Sequence, residues 1–160
     1  MHILSSSNQG VRHDWVLENW LTVWCWATIG VGAMFAAGAL PTLDGGVRLF
    51  YDIIIWPIDG VSPYGEDVRL TAALLGAVMI GWGIAIFGLI DAAESAGAPA
   101  WRALTLSIVA WYAIDSAISI ALAAPINALS NTGFLVTFLA PVLASGVLRS
   151  GGRLATARQS

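Results

Sequence analysis

Residues 103–148 read ALTLSIVAWYAIDSAISIALAAPINALSNTGFLVTFLAPVLASGVL, a stretch with one charged side chain, Asp115. The step Ala124-Pro125-Ile126 divides it into two apolar runs, 103–124 and 126–148. Crossing a hydrocarbon core of ~30 Å takes ~20 helical residues, and each run reaches that length. With so short a connection, the pair predicts a tight antiparallel helical hairpin.

Two similar runs precede it, 20–40 and 70–90. The strands of membrane barrels alternate apolar and polar residues over ~10-residue segments, and no run here alternates. Composition agrees with the runs. Hydrophobic residues make up 58% of the 160-residue chain and charged residues 11%, where a soluble domain carries about 25%. A chain so poor in charge cannot cover a globule with a solvated surface. The expected fold is an all-α integral membrane domain over 1–160, a four-transmembrane-helix bundle with a short interfacial helix in its first outer loop.

All seven basic residues are arginine. Their exclusive use reads as the codon bias of a G+C-rich genome. They form no basic patch that would follow a phosphate backbone, so no nucleic-acid partner is expected. Arg12, Arg102, Arg149, Arg153 and Arg158 fall on one side of a four-span topology, and only Arg48 and Arg69 on the other. The excess of arginine marks the cytoplasmic side. Both termini are therefore expected in the cytoplasm of a bacterial cell, the chain lying in the inner membrane. The first run is too long for a signal peptide and leads to Pro41 without a cleavage site, so it reads as a retained span. The tail 149–160 is polar, contains Gly151 and Gly152, and is expected to fray.

Trp15, Trp20, Trp56 and Trp101 stand near run ends, where amphipathic rings favour the headgroup region. Trp24, Trp26, Trp82 and Trp111 lie deeper and read as packing anchors. In the outer segment 41–68, residues 47–56 read VRLFYDIIIW. Ten residues are too few to span but enough for an interfacial helix, which Pro57 would end. Arg48 and Asp52 lie four apart and are expected to pair. With Phe50, Tyr51 and Trp56 they make a candidate interface. Ala77, Gly81 and Ala85 have small-xxx-small spacing, as do Gly32 and Ala36, and such stripes let helices approach closely. Whether they pack inside the bundle or against another subunit stays open.

Asp115 carries the strongest chemical signal. It stands about midway along its run, where a charged side chain costs several kcal/mol in lipid. Trp101, Leu104, Ile108, Trp111, Tyr112, Ser119 and Leu122 share its broad helical face. The hairpin brings Asn127 and Asn131 within reach, with Phe134, Phe138 and Ser145 continuing their stripe. An interhelical cluster of Asp115, Ser116, Ser119, Asn127 and Asn131 is expected. Hydrogen-bonded glue between helices is one reading, and a proton- or ligand-handling site is the other.

His2 and His13 precede the first run, so no histidine within a span can hold haem or a metal. No cofactor is predicted, and a bound lipid is compatible with the chain. Cys25 is the lone cysteine and reads as a buried thiol. Asp91 and Glu94 follow the second run, where Arg102 would compensate them. GxSxG and HExxH are absent. Three functions fit these features. First is an accessory or scaffold subunit of a membrane complex, partnered by the bilayer and by membrane proteins or further copies of itself. Second is an oligomeric small-solute or proton-linked carrier using Asp115. Third is an enzyme acting on a lipid through Asp115 or the outer acids.

Overall fold

The structure, a computed structural model, describes residues 6–60 and 64–149, with side chains from residue 17 onward. These residues form five helices and no strand: α1 Ser6–Ala37, α2 Gly45–Ile55, α3 Glu66–Ala96, α4 Ala98–Ala121 and α5 Pro125–Ser145. Four of them are long and apolar enough to cross a membrane: α3, α4, α5 and the Leu17–Ala37 part of α1. Trp15 and the tail beyond 149 lie outside the described side chains.

Helix ends depart from the apolar runs because hydrogen bonding continues where hydropathy stops. The 31 residues of α3 span about 46 Å, more than a ~30 Å core needs. It begins on Glu66 and Asp67, whose charges suit the positive end of the helix. It then continues through Asp91 and Glu94 to Gly97. The connection between α3 and α4, which carry the apolar runs 70–90 and 103–124, is thus one residue, Gly97. Gly97 has φ +79°, a conformation glycine adopts without a Cβ clash, and its N–H caps α3 on the Ala93 carbonyl at 2.8 Å. Arg102 is turned to the far end of α5, donating from Nε and Nη2 to the Leu148 carbonyl at 3.1 and 2.9 Å. There it satisfies an end-of-helix acceptor and opposes the negative end of the dipole, where compensation of Asp91 and Glu94 was expected.

The four long helices close a ring in the order α1, α3, α4, α5, while α2 lies against α1 and touches α5. The α1–α3 contact is the most extensive, and small residues make it possible. A Cβ on Gly76 would overlap the Ala36 backbone nitrogen and stand 2.5 Å from the Gly32 carbonyl oxygen. On Gly32 it would stand 2.9 Å from the Gly76 oxygen. Ala72, Gly76 and Gly83, three of the buried small residues of α3, share one side of it. Ala77, Gly81 and Ala85 are exposed. At 100° per residue they lie on the opposite side of the helix. Of the two stripes picked out by spacing, Gly32 and Ala36 lie in the α1–α3 contact and Ala77, Gly81 and Ala85 do not.

Aromatic rings fill the middle. Trp24 of α1 meets Phe134 and Phe138 of α5 at 4.3 and 5.4 Å and Trp82 of α3 at 6.0 Å. Trp111 of α4 closes the set, 5.6 Å from Trp82 and 5.7 Å from Phe134. Trp26 is not among these anchors, being 64% exposed. Trp101, expected at a headgroup level, is buried in the core. Both corrections follow from helical phase, which hydropathy alone does not reveal.

Pro141 has no N–H, so the Thr137 carbonyl loses its in-helix donor. Trp20 supplies one across the bundle, its indole Nε1 donating to that oxygen at 2.7 Å. Replacing Trp20 by Phe is expected to cost about 1 kcal/mol in a detergent unfolding titration. In a Pro141→Ala background, where the N–H returns, the same change is expected to cost less. Equal costs in both backgrounds would detach the indole bond from the proline.

Candidate functional site

The hairpin of α4 and α5 turns within 122–124, and this places Asp115 closer to the turn than the apolar run implied. Its helix starts earlier and stops earlier than the run, leaving Asp115 six residues before the end of α4, or about 9 Å along the axis. Leu122, assigned to the same face from the sequence, turns outward at the hairpin with 75% exposure.

The expected cluster forms, and its donors converge on one atom. Asp115 Oδ1 accepts from Ser119 Oγ at 3.1 Å, from Asn127 Nδ2 at 3.0 Å and from Asn131 Nδ2 at 3.0 Å. Each asparagine spends its amide on a second partner: Asn127 donates to Ser119 Oγ at 2.8 Å and Asn131 to Ser116 Oγ at 3.4 Å. Ser119 also points back to the Asp115 carbonyl at 2.7 Å. One turn deeper, Tyr112 and Thr132 share a hydrogen bond of 3.1 Å. Sequence reading placed Tyr112 on this face without its partner. A tyrosine at i−3 from the aspartate was the signal available.

Asp115 Oδ2 accepts nothing from the described residues. Ser116, Ser119 and Asn131 are buried, while Asp115 is only partly so. No cationic side chain pairs with it among the described residues. Chemically the cluster can do two things. It can lock α4 to α5 through the two asparagine amides on one oxygen, with Ser119 of α4 itself as a third neutral donor. It can also offer an open carboxylate oxygen to a proton or cation.

A second polar group caps the α2 end of the bundle. The pairing expected between Arg48 and Asp52 does not form. Arg48 Nε meets Asp44 at 2.9 Å, because Asp44 stands one turn N-terminal on the same face. Asp52 is buried and accepts from the Gly60 N–H at 3.1 Å. Arg69 joins the same Asp44 oxygen at 2.8 Å and also donates to the Gly38 carbonyl at 2.9 Å. Tyr64 donates to that carbonyl too, at 3.1 Å. Gly38 follows the end of α1, where carbonyls lack in-helix donors, so Arg69 and Tyr64 tie the end of α1 to the start of α3. The other interface candidates divide. Phe50 and Tyr51 are half-buried against Phe35, at 4.9 and 6.4 Å, while Trp56 follows α2 and is 63% exposed.

Burial pushes the Asp44 carboxyl up, but the hydrogen bonds and charges of Arg69 and Arg48 outweigh it and hold it below the usual carboxylate range. A group depressed in the fold stabilises above its unfolded pKa, about 3.9, and that contribution is lost as pH falls through the folded value. The difference in denaturation midpoint between the native chain and Asp44→Asn is therefore expected to be constant at neutral pH and to shrink below about pH 4. A difference unchanged down to pH 2 would remove Asp44 from this role.

Among the described residues no group of acidic, histidine or cysteine side chains is placed to hold a metal ion. Comparisons with family models, curated proteins and solved structures give no match.

Proposed function

We propose that the chain is a multi-pass membrane protein serving as an accessory or scaffold subunit of a larger membrane assembly, with both termini cytoplasmic and a bacterial inner membrane as its location. One observation carries this reading. Ala77, Gly81 and Ala85 lie exposed along the side of α3 that the bundle leaves uncovered. Small residues on a spanning helix let a neighbouring backbone come close. Here the ring's own contacts use the other side of α3. The aromatic packing between the four long helices supports the same reading, since it fills the middle of the bundle.

In this arrangement α2 lies along the membrane interface. Leu49, Ile53 and Ile55 are exposed, while Asp52 is turned inward and Arg48 is held by Asp44. A solvated helix would show the reverse.

Purification in mild detergent tests the function. Stoichiometric companions lost on Gly81→Leu are expected, and a monomer without companions would defeat the scaffold reading. Cysteine labelling tests the topology: Ser95→Cys should label from the cytoplasm and Asp59→Cys from outside, and the inverse pattern would reverse the orientation.

A second reading has its own observation. The open Oδ2 of Asp115 suits an oligomeric proton-linked carrier. Such a carrier should move protons or a solute in proteoliposomes, and a chain inert in that assay would rule it out.

A further inference from the structure

Residues 41–69 hold two arginines against five carboxylates, yet their arrangement leaves one cationic edge open. Arg69 is engaged through Nη1 by the Gly38 carbonyl and through Nη2 by Asp44. Arg48 reaches the same Asp44 oxygen through Nε, and its side chain is 44% exposed. Its two terminal nitrogens donate to nothing among the described residues. The Tyr64 ring lies 5.0 Å beneath this guanidinium, a contact that favours one orientation of the group. The same short helix and its flanks expose Leu43, Leu49, Ile55 and Trp56.

We propose that Arg48 holds the phosphate of a zwitterionic phospholipid headgroup, whose chains lie against the apolar side chains of α2. This rests on the reading of α2 as an interfacial helix. The free edge of a guanidinium presents two parallel donors that match two phosphate oxygens. Asp44 is shared by two guanidiniums and so neutralises only one of them. Asp52 is buried on the Gly60 N–H. The lipid source follows from the surroundings. Asp59, Glu66 and Asp67 are exposed nearby in sequence and make the field acidic, which weakens the capture of a free anion. A headgroup is held at the interface by its own chains, so a weak contact suffices. An ammonium on the same headgroup is attracted where a net-anionic lipid is repelled.

The test uses the full chain in nanodiscs of phosphatidylethanolamine, phosphatidylglycerol and a phosphate-free diglycosyl lipid with matched chains, followed by native mass spectrometry of the lipids retained. The native chain should retain phosphatidylethanolamine over both others. Arg48→Gln should lose about fivefold of that retention, the size of one exposed charge-assisted contact. Arg48→Lys, which keeps the charge without the paired donors, should lose less, and it decides the matter if thermal melting shows Arg48→Gln to be unfolded. Equal retention by the native chain and the folded variants would overturn the proposal. So would preference for phosphatidylglycerol, or equal retention of the glycolipid. Displacement by millimolar inorganic phosphate would overturn the lipid source. A nitroxide on Ile53→Cys, with Cys25 buried, reports separately on α2. A label in bulk water defeats the interfacial reading itself. A label at the interface, with no effect of Arg48→Gln, defeats only the headgroup site.

Discussion

Leucine at Gly76 is expected to abolish recovery of folded protein from detergent extracts, whereas leucine at Gly81 is expected to leave recovery intact. The two glycines lie five residues apart on α3 and differ only in what faces them. A Cβ at Gly76 meets the Ala36 nitrogen and the Gly32 carbonyl, both backbone atoms, while nothing lies within 4 Å of one at Gly81. Overpacking costs about 1–3 kcal/mol where neighbouring side chains can move aside. Here backbone must move, so α1 and α3 have to separate along their most extensive contact, and the cost exceeds that range. Alanine at Gly76 already presents the clashing Cβ and should give a weakened but recoverable bundle. Size-exclusion profiles and melting curves of the three variants check the order. A Gly76→Leu chain that elutes and melts like the native one would show that α1 and α3 do not meet as described. The Gly81→Leu variant then also reads function, since it should lose companions while its own fold survives.

The comparison of these glycines shows how far the sequence could be read. Four helices long and apolar enough to cross a membrane were legible because length and composition survive any rotation of a helix. Which side of each span faces inward was not legible. Spacing pointed to Ala77, Gly81 and Ala85 and passed over Ala72 and Gly76, because every side of α3 is apolar and the hydropathy carries no phase. Trp26 and Trp101 were misplaced for the same reason. In a soluble helix polar residues would have marked the outward side. Polar residues carry more phase: spacing and the short hairpin grouped Asp115, Ser119, Asn127 and Asn131, and these side chains are joined by hydrogen bonds. The Arg48 pairing failed because two acids, Asp44 and Asp52, stand four residues to either side. The choice was made by Arg69 and by the Gly60 N–H, both supplied by the tertiary fold.

Asp115→Asn should leave the bundle folded and assembled, and Asp115→Leu should weaken it measurably. All three side-chain donors use Oδ1, and asparagine keeps a carbonyl oxygen there. Its amide replaces Oδ2, which accepts nothing from the described residues, so no contact is lost. Leucine removes the shared acceptor and leaves the Asn127 and Asn131 amides partly stranded between α4 and α5, each keeping only its serine partner. Two of the contacts, those from Asn127 and Asn131, cross from α5 to α4. Interhelical hydrogen bonds in membrane proteins average about 0.6 kcal/mol, so their loss amounts to about 1 kcal/mol, which denaturation in mixed micelles can resolve. Adding Asn127→Leu and Asn131→Leu to Asp115→Leu removes the stranded donors and should restore part of the loss, because unmet polar groups cost more than absent ones. The same Asp115→Asn variant separates the two functional readings. In a scaffold it keeps companions and native stability together. In a carrier it keeps the fold but stops proton-linked uptake, since the open oxygen that would take the proton has become an amide. An Asp115→Asn chain as unstable as Asp115→Leu would mean that ionisation itself holds the hairpin, and neither account of Oδ2 would survive.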